Sequence, residues 1–127
     1  MRNISFSITL QAFHDGTKDV TRRYPSWKNL KPGDHLMAVE RAQGLKKGEH
    51  VVKISEIVIV NCAPEQLRCI EYSSYRDDDT KPGGIRKETL REGFPLMTPE
   101  SFVKMFCKFN KCTPETIVNR IVFRRVQ

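Results

Sequence analysis

Apolar residues alternate at Ile4, Phe6, Ile8 and Leu10 and then take helical spacing at Leu10 and Phe13, ahead of Gly16. This pattern predicts a strand leading into a short helix over residues 4–15. Gly16 tolerates the positive φ that ends such a helix, so residues 17–23 leave it through a tight corner. Pro32-Gly33-Asp34 predicts a turn over residues 30–34, and residues 35–40 have the apolar content of a short strand. A polar loop over residues 43–49 follows. The β-branched run Ile54, Ile57, Val58, Ile59 and Val60 then predicts a long strand over residues 51–60, buried on both sides at its end.

Pro64 suits the first turn of a helix whose apolar stripe, Leu67 and Ile70, extends to about Tyr72. Residues 73–84 read as a loop. Their Asp77-Asp78-Asp79 run lacks the alternating oxygen ligands and distal glutamate of a calcium loop, and is expected to be solvated. A short helix is expected over residues 86–91, closed by Gly93. A longer one opens at Thr98-Pro99-Glu100, where a capping hydroxyl, a first-turn proline and an acid coincide. Phe102, Val103, Phe106 and Phe109 recur at helical spacing, as a core stripe does and a base-stacking platform need not. Residues 117–126 set Ile117, Ile121 and Phe123 against Arg120 and Arg124, which predicts a closing strand. The sum is an α+β domain spanning residues 1–127, a small mixed β-barrel flanked by short helices, without internal repeat or linker.

Composition narrows the class of protein. The 127 residues, 39% hydrophobic and 29% charged, suit one soluble globular unit. With 22 Lys and Arg against 15 Asp and Glu, the net charge of +7 favours phosphate-bearing partners, although a basic surface also serves solubility alone. Cys62, Cys69, Cys107 and Cys112 have neither zinc-site nor disulfide-framework spacing and are expected to be reduced thiols. His14, His35 and His50 lie far from them in sequence, so no metal or other cofactor is expected. No run approaches the ~20 apolar residues of a membrane span, and Met1-Arg2-Asn3-Ile4-Ser5 lacks the apolar stretch of a signal peptide. A cytoplasmic protein without a membrane partner, monomeric or weakly dimeric, is the expectation.

Candidate chemistry concentrates in Gly16-Thr17-Lys18-Asp19-Val20-Thr21-Arg22-Arg23, followed by Tyr24, Trp27, Lys28 and Lys31-Pro32-Gly33-Asp34. Between Lys18 and Lys31 there are five basic residues and one acid, Asp19. On a regular strand Lys18 and Thr21 point to opposite faces, so they meet only where the chain bends, as it can just past Gly16. There a buried lysine gives up its proton more readily and can serve as a base toward the Thr21 hydroxyl, the nucleophile. The alternative stays open: Lys18 as a solvated cation and Thr21 as a strand residue. Arg22 and Arg23 are consecutive, so at most one is expected to face a shared pocket. Trp27 suits either base stacking or packing.

In that order these motifs resemble the signature of the ASCH domains, small barrels related to the PUA domains that bind RNA, over nearly the whole chain. The resemblance implies a cleft lined by the Gly16, Lys18, Thr21 and Arg22 segment and completed by a glutamate from a later helical region. Glu92 stands at that place, with Glu88 as the nearby competitor. Some small bacterial ASCH proteins remove the acyl group of acetylcytidine. The resemblance then implies that Thr21 attacks the amide carbonyl, Lys18 activates it and Glu92 moves or orients a proton. Other ASCH proteins are RNA-binding modules or ribonucleases. For those, Lys18, Arg22 and Arg23 would neutralise phosphate while Trp27 or Tyr24 stacks a base, with Gly16 and Lys28 in the same nucleotide-binding set. The +7 charge favours a polynucleotide, since a free nucleoside carries no phosphate. RNA or nucleotide recognition is therefore the leading expectation, and hydrolysis of an acylated cytidine, or of RNA, the alternative.

Overall fold

A computed structural model of the chain describes residues 1–41, 45–77 and 84–126. In chain order the elements are β1 (Arg2–Ser5), α1 (Leu10–His14), β2 (Val20–Arg23), β3 (His35–Val39), β4 (Lys53–Gln66), α2 (Cys69–Tyr72), β5 (Tyr75–Asp77), β6 (Ile85–Lys87), α3 (Glu88–Arg91), α4 (Pro99–Asn110) and β7 (Ile117–Arg125). Five strands form one sheet in the order β1-β3-β4-β7-β2. Only β1 and β3 run parallel; the other neighbours are antiparallel. The sheet is strongly curled into a half-barrel, and its two edges are β1 and β2. Register shifts in β3–β4 at Ala38/Val39 and in β4–β7 at Ile59/Asn61 add the local twist that curls it.

The hollow of the curl is filled by Ile4, Phe6, Phe13, Leu36, Ala38, Ile57, Ile59, Ile121 and Phe123. Phe6, Phe13 and Phe123 stack with ring centroids 5.0 to 6.0 Å apart, which ties α1 to the sheet. A second cluster, Leu67, Ile70, Phe102, Val103, Phe106 and Val118, holds α2 and α4 against the far end of β7. Thr98 caps α4 by accepting from the Ser101 N–H at 3.1 Å, and Pro99 follows in the first turn. This start is where the sequence puts it.

Several expectations are corrected. Pro64 lies inside β4, opposite Asn119 of β7, and not at the start of a helix. β3 stops pairing at Val58, so beyond that residue β4 has one neighbour and a proline costs no ladder bond on the open side. The helix that follows is only the single turn Cys69–Tyr72. Residues 73–84 contain β5, which pairs with β6 as a two-stranded ribbon, and helix α3 begins at Glu88 because residues 85–87 belong to that ribbon. Gln43 and Gly44 of the polar loop, and Asp78, Asp79, Pro82 and Gly83 of the next, lie outside the described residues. Phe109, expected in the core stripe, is 68% exposed, and Ile117 is exposed at the end of β7. Arg120, expected on the outward face of that strand, is buried. No helix among the described residues is long and apolar enough to cross a membrane.

Candidate functional site

The open seam of the half-barrel, between β1 and β2, is where the expected residues gather. Gly16, with φ of +79°, ends α1 and lets Thr17 and Lys18 donate their N–H groups to the Ala12 carbonyl at 3.1 Å. Lys18 therefore precedes β2 and is not bound by strand alternation, which supplies the bend that Lys18 and Thr21 require. Both line one cavity of about 600 Å³ together with Arg22, Arg23, Tyr24, Trp27 and Glu92.

Lys18 is 5% exposed. Its Nζ donates to the carbonyls of Val20 at 2.8 Å and Glu92 at 2.6 Å, and lies 3.7 Å from Glu92 Oε1. Burial, reinforced by Arg23 and Arg22 and opposed by Glu92, brings its pKa from 10.5 down to about 8. Thr21 is also buried, and its Oγ1 accepts from Arg23 Nε at 3.0 Å. No hydrogen bond joins Lys18 Nζ to Thr21 Oγ1 directly.

Glu92 follows the short α3 and aims its carboxylate back at β2. Its Oε2 accepts from Arg22 Nη1 at 2.7 Å. Arg22 Nη2 donates in turn to Glu88 Oε2 at 2.7 Å and Glu65 Oε2 at 3.0 Å. Three carboxylates thus surround one buried guanidinium and hold its pKa well above the usual arginine value, despite burial that acts the other way. Arg22, expected as a phosphate contact, thus has three carboxylate partners, one of which is Glu92. The two candidate glutamates are also placed differently. Glu92 faces the cavity; Glu88, 0% exposed, lies behind it.

Glu88 joins elements distant in the chain. It accepts from Arg120 Nε at 2.9 Å and Arg120 Nη2 at 2.8 Å, besides Arg22, and Arg91 Nη1 is 3.6 Å away. Arg120 and Arg22 pull its carboxyl down to about 2 against the cost of burial. Asp19 adds a further tie, accepting from Arg91 Nε at 2.8 Å and Arg86 Nη1 at 2.7 Å. α3 is only one turn long and its buried residues, Glu88, Thr89 and Arg91, are polar, so this ionic network ties it to the sheet and helps to hold Glu92 at the seam. Gly93 completes the placement. With φ of +97°, it has its α-carbon so close to α1 that an added Cβ would lie 2.9 Å from Thr9 Cβ and Cγ2. Gly93→Ala is therefore expected to lower stability by about 1–3 kcal/mol, read as a shifted urea midpoint at unchanged slope; a shift within error would show that α1 and α3 separate freely.

Arg22 and Arg23 both reach the cavity, where alternation allows one. Arg23 ends the edge strand β2 and wraps around it, and its Nη2 donates to the Ser5 carbonyl of β1 at 2.6 Å, stitching the open seam. Trp27, with φ of +73°, packs partly against the core and carries the Arg2 guanidinium 4.1 Å from its ring centroid, while also bordering the cavity. Tyr24 sits at the exposed rim. Gly16 shapes the corner without lining the cavity, and Lys28 is exposed outside it.

The sequence reading missed the opposite wall. Phe94, Phe102, Met105, Phe106 and Phe109 line the cavity from the α4 side, so the aromatic stripe serves both core and site. It also missed Glu65, Glu88 and Arg120 as a linked set. The one available signal for that set was the cluster of acids and arginines at Glu88, Arg91 and Glu92 on a helix too short to be amphipathic. Comparison of the chain with protein-family models, with curated proteins and with solved structures returned no match.

Proposed function

We propose that this domain is an ASCH-type, PUA-like barrel whose cavity binds an acylated cytidine-type nucleoside and hydrolyses its amide bond. One observation supports this above others: Lys18 and Thr21 from one segment and Glu92 from another, some seventy residues on, border a single cavity of about 600 Å³, and Lys18 titrates at about 8. That volume lies in the range of small-molecule sites. A lysine poised near neutral pH is suited to passing a proton in both directions.

In the proposed reaction Thr21 Oγ bonds to the amide carbonyl carbon. Its proton passes to the neutral Lys18 amine, through the bound substrate or a solvent molecule, since no hydrogen bond joins the two side chains in the free protein. The carbon–nitrogen bond breaks as the Lys18 ammonium returns that proton to the leaving amine. Water then hydrolyses the Thr21 ester, releasing a carboxylic acid and restoring the hydroxyl. Glu92, held by Arg22, keeps the Lys18 ammonium oriented through the 3.7 Å contact.

The test is release of cytidine from acetylcytidine by the purified protein. Because Lys18 must be neutral to act, kcat/KM is expected to rise about tenfold per pH unit below about 8 and to level above it. A profile flat from about pH 6 to 9 removes Lys18 as the base. RNA or nucleotide recognition at the same mouth is the second reading, favoured by Tyr24 and Trp27 on the cavity rim. It predicts affinity that falls steeply with added salt.

A further inference from the structure

Two adjacent arginines at the cavity are treated in opposite ways. Arg22 meets three carboxylates, whereas Arg23 meets none within ion-pair distance among the described residues. Both acceptors of Arg23 are neutral, Thr21 Oγ1 through Nε and the Ser5 carbonyl through Nη2. Its Nη1 donates to no protein group and is not sealed off as a buried orphan. The guanidinium lies 5.4 Å above the Phe6 ring, which Lys18 also approaches at 5.5 Å. Glu92 is the nearby carboxylate, and it is already engaged by Arg22 and Lys18. Burial lowers the Arg23 pKa and Glu92 only partly offsets this, in keeping with a cation that lacks a counter-charge. A partly desolvated guanidinium with an open N–H edge is a strong partner for an oxyanion, because the bond is charge-assisted and the cation has no competing anion to release.

We propose that Arg23 anchors an oxyanion site: its guanidinium holds a carboxylate or phosphate oxygen of the ligand in the cavity, against Thr21. The assignment of that oxygen to the reaction rests on the hydrolase reading. There Arg23 receives the carbonyl oxygen as it gains negative charge on attack by Thr21, and afterwards retains the released carboxylate. The group that binds is then a carboxylate; in a nucleotide it would be the phosphate.

Trp27, the single tryptophan, borders the same cavity and reports on its contents by fluorescence. The wild-type protein is titrated with sodium acetate and, separately, with inorganic phosphate, at ionic strength fixed with chloride. A saturable change is expected with acetate, at least tenfold weaker in Arg23→Gln and intermediate in Arg23→Lys, which keeps the charge but not the planar fork. Arg23→Lys carries the comparison if Arg23→Gln does not fold. Tighter binding of phosphate than of acetate assigns the site to a nucleotide phosphate. Equal constants in wild type and variants, or no saturable response to either anion, overturn the proposal. Anion binding lost with Arg23 in a protein that leaves acetylcytidine intact retains the oxyanion site and removes the hydrolase reading instead.

Discussion

Glu88→Ala is expected to cost about 3–5 kcal/mol of folding stability, a large part of the total of about 5–15 kcal/mol typical of a domain. The carboxylate is fully buried and accepts from Arg22 once and from Arg120 twice, with Arg91 close by. Its loss leaves Arg120 buried without the two-pronged partner that compensates it, and uncompensated buried charge is far more costly than the salt bridge itself is stabilising. Glu88→Gln keeps the volume and isolates the charge. In the folded protein the carboxyl titrates at about 2, against 4.5 unperturbed, so the unfolded chain takes up its proton first as acid is added. The contribution of Glu88 is complete above about 4.5 and is lost as the pH falls from there to about 2, amounting to about 3 kcal/mol. Urea midpoints measured across that window should fall more steeply for the wild type than for Glu88→Gln. Parallel profiles, or an alanine variant within about 1 kcal/mol of the wild type, would show that α3 is held by its apolar contacts alone.

That network was the least legible part of the sequence, for a physical reason. Elements whose signals are local were readable: α1 from Leu10 and Phe13, the corner from Gly16, and α4 from Thr98-Pro99-Glu100, whereas the alternation from Ile4 to Leu10 outran β1, which ends at Ser5. Pro64 misled because a proline is judged by its neighbours in the chain, whereas its fate was set by how far β3 extends along β4. The ribbon of β5 and β6 is three residues a side, too short to show a period of its own, so its residues read as loop. Ion pairs obey no periodicity at all. Arg22 is separated from its three carboxylates by 43, 66 and 70 residues, and nothing near Arg22 distinguishes it from Arg23. Yet Arg22 meets three carboxylates and Arg23 none among the described residues. Glu92 entered the sequence analysis through family resemblance alone. In the fold it stands at the cavity because Asp19 and Glu88 fasten a one-turn helix to the β2 segment and Gly93 lets the chain close against α1.

Lys18→Met is expected to lower turnover of an acylated cytidine by about 10²–10⁴-fold while changing KM little, because the side chain handles the proton and not the substrate's bulk. Lys18→Arg sharpens the test. It keeps a cation near Glu92 and the Val20 carbonyl, but a guanidinium does not give up its proton in this pH range, so turnover should stay low at every pH. The same residue leaves a mark on stability that needs no substrate. The folded protein releases the Lys18 proton at about 8, whereas the unfolded chain holds it until 10.5. Between those values the unfolded state binds more protons, so the wild type gains stability as the pH rises, by up to about 1.4 kcal/mol per unit. Lys18→Met lacks this gain. The stability difference between wild type and Lys18→Met should therefore shift in favour of the wild type by about 3 kcal/mol from about pH 7.5 to 10.5, read from urea midpoints. A constant difference across the window would mean that Lys18 keeps its ordinary proton affinity in the fold, and a lysine so placed is a structural cation with no part in amide cleavage.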